Sequence, residues 1–215
     1  MRRLLPVVAL TLAACGADPE PEAPPRPALP TATVAAADLA DVLLTPAEAQ
    51  PLIAKIGLVA QPFSDVERGD GMRDDPAGCA AAVYPVMAGA YPDGTVQGVT
   101  MRDADNLLRL TEAAVGYDTA AAAQRRLDGL IALLNRCAAT TVTVTTTAFD
   151  NVWRTREVGT VDQGSTLAAG LVDHDWVCHR AVALRANVIL DVHACAGDGP
   201  DPTPHLIDAI TEKMT

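Results

Sequence analysis

Two groups of residues in this chain sit in patterns whose chemistry can be read directly. The first is Cys15, at the end of Leu12-Ala13-Ala14-Cys15. A branched apolar residue, two small ones and a cysteine look like the bacterial lipobox. The small residues fit a signal peptidase, and the thiol accepts a diacylglyceryl group. The second group is Cys79, Cys137, Cys178 and Cys195. An even number of cysteines in an exported domain implies two disulfides, with three possible pairings. A structural zinc site is the rival reading, but no two of these cysteines lie at the short spacing such sites use. No metal and no cofactor are expected.

The elements around Cys15 support its reading. Met1-Arg2-Arg3 is a positive start, and Leu4 to Ala14 is an apolar run. That run is too short to cross a bilayer, which needs roughly 20 residues. Residues 1–14 are therefore expected to be a signal peptide. Acyl chains on Cys15 would then hold the chain at the outer, extracytoplasmic face of a membrane, each buried methylene contributing roughly 0.8 kcal/mol. Gly16 to Ala37 carries six prolines and several acids. Such a segment favours extended polyproline II and reads, with Cys15, as a lipidated stalk over residues 15–37. Residues 38–215 form the folded domain.

The formal net charge is −11, and Lys55 and Lys213 are the two lysines. An acidic surface is repelled by nucleic-acid phosphates, which argues against a nucleic-acid partner. Aromatic residues make up 3% of the chain, so the core must be built from many small aliphatic contacts.

The chain alternates helix and strand signals in an α+β order. Thr45-Pro46-Ala47-Glu48 is a capping box with proline at the first helical position, and Gly57 is expected to end that helix. Residues 64–78 are acidic and glycine-rich, and read as a solvated loop without EF-hand spacing. Residues 77–90 read as helix, 94–103 and 107–117 as strands. Asp118 is expected to cap a helix over 119–137, with Leu127, Leu130, Ile131 and Leu134 on its buried face. Thr140 to Thr147 is a β-branched run, hence a strand. Residues 152–161 and 165–172 follow as strands, and Thr203-Pro204 opens a closing helix.

Residues 176–185 and 188–196 read as a hairpin around Ala186-Asn187, where asparagine suits a left-handed backbone. With that loop, Cys178 faces Cys195, Arg180 faces His193, Val182 faces Asp191 and Leu184 faces Ile189. Directly opposed cysteines suit a disulfide, which leaves Cys79 for Cys137. One face of this hairpin, including Val177, His179, Val188 and Leu190, should meet the helices. The other carries Arg180, Asp191 and His193 and is expected to lie open to water, a braced floor for polar ligand contacts.

The order of these features resembles the PknH-like extracellular sensor domain family of actinobacterial kinases and lipoproteins. The residues that carry the likeness are Cys79 through Pro85, Arg136-Cys137, Trp153, Cys178 through Ala181, and Asn187 through Cys195. The resemblance implies an antiparallel sheet with helices packed on it, two disulfides paired as above, and a large cleft proposed to bind a ligand. Within these residues nothing matches a kinase Gly-rich loop, strand lysine or catalytic loop. Ser165 lacks a nucleophile elbow, and His174-Asp175 is an isolated neighbour pair, so no enzymatic activity is expected. The expected partners are the membrane, through the lipid, and an unidentified small-molecule or envelope ligand. The alternative is a structural lipoprotein with an envelope protein partner.

Overall fold

The computed structural model describes residues 33–197 and 199–214. The expected signal peptide, Cys15 and most of the segment expected as a stalk lie outside these residues. Packing already includes Val34, whose N–H donates to Asn187 Oδ1 at 2.7 Å and whose carbonyl accepts from Asn187 Nδ2.

Ten strands form one sheet. In chain order they are β1 (Val59–Phe63), β2 (Arg73–Asp75), β3 (Thr95–Arg102), β4 (Arg109–Gly116), β5 (Thr141–Thr145), β6 (Asp150–Thr155), β7 (Gly159–Val161), β8 (Gly164–Leu171), β9 (Val177–Arg185) and β10 (Val188–Ala196). Their spatial order is β1-β3-β4-β10-β9-β8-β6-β5-β2, with β7 added to β8. Every strand pairing is antiparallel. The helices are α1 (Pro46–Ile53), α2 (Ala80–Val83), α3 (Ala120–Arg136) and α4 (Thr203–Lys213).

Local chemistry accounts for most of these boundaries. Thr45 and Glu48 form the expected capping box of α1, but the helix stops at Ala54, in the left-handed region, ahead of Gly57. Thr119, not Asp118, caps α3 through a hydrogen bond from the Ala122 N–H. The helix expected over 77–90 is instead the short α2 and a 3-10 turn at Ala88–Ala90. Pro85 breaks it between them: proline disfavours helical backbone in the residue before it, and Val86 after it has φ 55°. The acidic 64–78 loop contains one strand, β2, at the sheet edge.

The last hairpin has the expected register and loop. Its left-handed residue is Ala186. Asn187 uses its side chain to bind Val34 and the Tyr117 carbonyl. Both disulfides are paired as expected, Cys79–Cys137 and Cys178–Cys195.

The expectation that one hairpin face is open to water does not hold. β9 and β10 stand mid-sheet, and both faces are covered. Ala183, Val188, Leu190 and Val192 join Leu39, Leu44 and the α4 residues Leu206, Ile207 and Ile210 in one core. Val182, Leu184 and Ile189 join Leu127, Leu130 and Leu134 of α3 in the other.

Candidate functional site

Arg180 and Asp191 lie one step apart across β9 and β10, on the α3 side of the sheet. They are 1% and 0% exposed. The segment from Cys79 to Tyr91, tied to the end of α3 by the Cys79–Cys137 disulfide, crosses above them. Arg180 Nε and Nη2 donate to the two Asp191 carboxylate oxygens at 2.8 Å each. Arg180 Nη1 donates to the carbonyls of Ala81 and Ala82, at the end of α2. Asp191 Oδ2 also accepts from the Tyr91 hydroxyl at 2.8 Å and the Val86 N–H at 3.0 Å.

This cluster is satisfied on every side, the condition under which a buried charge pair is tolerated. Burial by itself would raise Asp191, but the Arg180 charge and the hydrogen bonds from Arg180, Val86 and Tyr91 outweigh it and hold the carboxyl below its ordinary value. Burial also opposes the Arg180 charge, and the Asp191 charge beside it more than compensates, leaving the guanidinium firmly protonated. Burial, then the Asp191 charge, push the Tyr91 phenol well up.

The pair fixes an unusual piece of backbone. Val86 has a left-handed φ of 55°. A β-branched side chain pays about 1–2 kcal/mol there. The Val86 N–H is held by Asp191, and its carbonyl accepts from the Glu67 N–H at 2.9 Å. Tyr84 is anchored on the other side: its hydroxyl accepts from Asn151 Nδ2 and Trp153 Nε1, and its ring meets Trp153 edge-on at 5.8 Å.

Tyr84-Pro85-Val86 forms one wall of a cleft of about 500 Å³. Its floor is the β3–β4 ladder, where Thr100 faces Thr111 and Arg102 faces Arg109. Phe63 and Phe149 complete the rim. Phe63 lies over Gly98, a position where any Cβ would collide with its ring.

None of the three residues read from the sequence lines this cleft. Arg180 and Asp191 lie behind its wall. His193 faces Thr111 across the β10–β4 ladder, on the same face of the sheet as the floor residues, and is 5% exposed. Burial, then the Arg180 charge, depress its pKa to about 3, so it is neutral. Its ring nitrogens lie 3.5 and 3.8 Å from the Cys195 sulfur. Cys178, His193 and Cys195 place three potential metal-ligand atoms within 4.8 Å. Both sulfurs are bonded to each other, so neither is a thiolate.

A second cleft of about 630 Å³ opens on the opposite face, between the ends of α1 and α4. It is lined largely by apolar groups such as Leu52, Ile53 and Trp176, with a His179–Asp201 pair at 3.6 Å.

The profile of the PknH-like extracellular domain family matches residues 34–213. This chain belongs to that family. The serine/threonine-protein kinase PknH of Mycobacterium bovis is 27% identical over 201 residues, covering 88% of this chain and 33% of the kinase. PknH of Mycobacterium tuberculosis strain CDC 1551 is also 27% identical, covering 88% of this chain and 31% of that protein. The chain therefore spans about a third of the length of these curated relatives, and corresponds to their extracellular sensor part rather than the kinase domain. The crystal structure of the extracellular domain of PknH from Mycobacterium tuberculosis has the same fold, with a TM-score of 0.80 at 22% identity over 85% of this chain and 97% of that one. No helix among the described residues is long and apolar enough to cross a membrane.

Sequence reasoning missed Val86, Arg102, Arg109 and Thr111 as members of this cleft. The signal was partly present. The register argument that paired Cys178 with Cys195, applied to 94–103 and 107–117, faces Arg102 with Leu108, one residue short of its observed partner Arg109. Nothing local marks Val86, because its conformation is imposed by Asp191, far along the chain.

Proposed function

We propose that this is an extracytoplasmic lipoprotein, held to the membrane by acyl chains on Cys15, whose PknH-like domain binds a ligand in the cleft between Tyr84-Pro85-Val86 and β3–β4 without catalysing a reaction. The observation that carries this reading is the investment of a fully hydrogen-bonded buried ion pair in one strained residue of a cleft wall. Strain of this kind persists where surrounding structure over-determines it, and it concentrates at ligand clamps. Arg180 and Asp191 act here as positioning residues for the wall, and His193 as a neutral, buried neighbour of the floor. No nucleophile–base constellation among the described residues points to hydrolysis.

Two experiments test the reading. Thermal unfolding of the exported chain, with disulfides intact, against envelope metabolites and lipids should give a concentration-dependent rise in melting temperature for a ligand of the folded state. Replacing Thr111→Val or Phe63→Ala should reduce that rise. A rise untouched by both substitutions would place the site elsewhere. For the anchor, Cys15→Ser should move the protein from the membrane fraction to the soluble extracytoplasmic fraction.

A protein-interaction role has one observation in its favour. Ile56, Val59 and Leu107 are 86%, 70% and 59% exposed, near the start of β1 and the β3–β4 turn. Crosslinking in the intact envelope that recovers one defined partner through this end of the sheet would favour that reading over a small-molecule ligand.

A further inference from the structure

Arg102 and Arg109 stand directly opposite each other at the cleft end of β3 and β4. Like charges at facing positions destabilise a strand pair. Neither guanidinium makes a hydrogen bond or an ion pair with a carboxylate among the described residues, although the chain carries 27 acidic residues. Asp65 lines the same cleft, but it is already engaged by Arg68 at 3.2 Å and by the Val66 N–H. Glu67 favours the Arg109 charge from a distance without closing on it. Partial desolvation, and then the Arg102 charge, leave Arg109 below its ordinary pKa. Both arginines remain exposed to an incoming group.

One ladder step inward, the Thr100 and Thr111 hydroxyls lie 3.4 Å apart, with Thr111 buried. The floor thus offers two planar guanidinium forks beside two hydroxyls. Guanidinium forks match the oxygens of a phosphate, and a dianion neutralises both charges at once. A carboxylate has too few oxygens and too little charge to satisfy the same set. The adjoining wall and rim are apolar and aromatic: Phe63, Tyr84, Val86 and Phe149.

We propose that this cleft takes a phosphate group on Arg102 and Arg109, carried by a molecule whose apolar part lies against Phe63, Val86 and Phe149. The inference rests on the reading of this cleft as the ligand site and adds the ligand's chemical class. A phosphate of this kind belongs either to a membrane lipid headgroup or to a free phosphorylated metabolite.

The test is thermal unfolding of the exported chain in non-ionic detergent at constant ionic strength, with inorganic phosphate, phenyl phosphate, dihexanoyl phosphatidic acid and hexanoate. All three phosphate compounds should raise the melting temperature, and hexanoate should not. A response to dihexanoyl phosphatidic acid at concentrations at least tenfold below phenyl phosphate identifies a lipid headgroup; equal responses identify a soluble phosphate ester. Arg102→Ala and Arg109→Ala should each weaken the phosphate response at least tenfold, while the melting temperature without ligand stays level or rises, because the facing charges are gone. No response to any phosphate compound, or a response that both variants retain, overturns the proposal. If uncharged envelope compounds still stabilise the chain through Thr111 and Phe63, the cleft reading stands and the phosphate assignment alone falls.

Discussion

Asp191 on β10 and Glu112 on β4 are both wholly buried carboxylates on adjacent strands, and they point to opposite faces of the sheet. Asp191 meets a guanidinium, a phenol and a backbone N–H, and is held ionised. Glu112 accepts one hydrogen bond, from the Leu44 N–H at 3.0 Å, and its other oxygen has no partner. Burial raises Glu112 to about 7, with the Leu44 bond opposing. The nearest cation, Lys213, is drawn to Glu48 and the Leu43 carbonyl instead. Two equally buried acids thus end up with opposite protonation tendencies. Burial sets the cost of the charge, and the number of donors aimed at the oxygens decides whether that cost is met.

The largest expected effect lies at the saturated carboxylate. Arg180→Met leaves Asp191 buried without its cation, and should destabilise the domain by about 3–5 kcal/mol. Urea unfolding of the purified chain reads this directly. A loss under 1 kcal/mol would mean that Tyr91 and Val86 suffice to hold Asp191. Next in size is the strap that keeps the wall over the pair. Removing Cys79–Cys137, which closes 58 residues, should cost about 4 kcal/mol, and removing Cys178–Cys195, which closes 17, about 3 kcal/mol. Denaturation of the two paired Cys→Ala variants would establish the ranking.

Glu112 predicts the opposite sign. Between its ordinary 4.5 and about 7, the unfolded chain releases a proton that the folded chain keeps, so stability falls as pH rises through that window. Glu112→Gln should therefore raise stability by up to about 3 kcal/mol at pH 8, and the gain should vanish below pH 4.5. His193 has the reverse effect: below its ordinary 6.5 the unfolded chain takes a proton that the folded chain refuses until about pH 3, so stability falls with acid. The two contributions oppose each other between pH 4.5 and 6.5. Melting temperature in that interval should be nearly level in the wild type and should slope downward with acid in Glu112→Gln. The smallest effect lies in the wall itself. Val86→Gly relieves about 1–2 kcal/mol of left-handed strain but removes a core side chain worth about 1.5–3 kcal/mol, and should destabilise the apo domain by about 1 kcal/mol. A gain in stability there would show that strain at this position outweighs packing.

Much of the architecture was legible in the sequence because it depends on neighbours along the chain. The capping box at Thr45, the α3 stripe of Leu127, Leu130 and Leu134, and the hairpin register that opposes Cys178 to Cys195 all follow from spacing alone. The 77–90 segment misled because its alanines favour helix while Pro85 and Asp191 divide it. The hairpin face misled for a different reason. Alternation distinguishes the two sides of a strand but not what lies above either of them, and a central strand buries both.

The sequence alone determined the lipobox at Cys15 as an expectation, the cysteine pairing, α1, the element order from β3 to α4 apart from β7, and the family resemblance. These rest on residue type and short-range periodicity. The tertiary structure alone decided that Arg180 and Asp191 are internal struts, that Val86 is bent to form a wall, and that the Arg102–Arg109 pair becomes the floor of an open cleft. Each of those outcomes depends on segments that are distant in sequence converging at one place. The physical quantities involved, desolvation and the count of donors at a buried oxygen, exist only once the chain has closed around them.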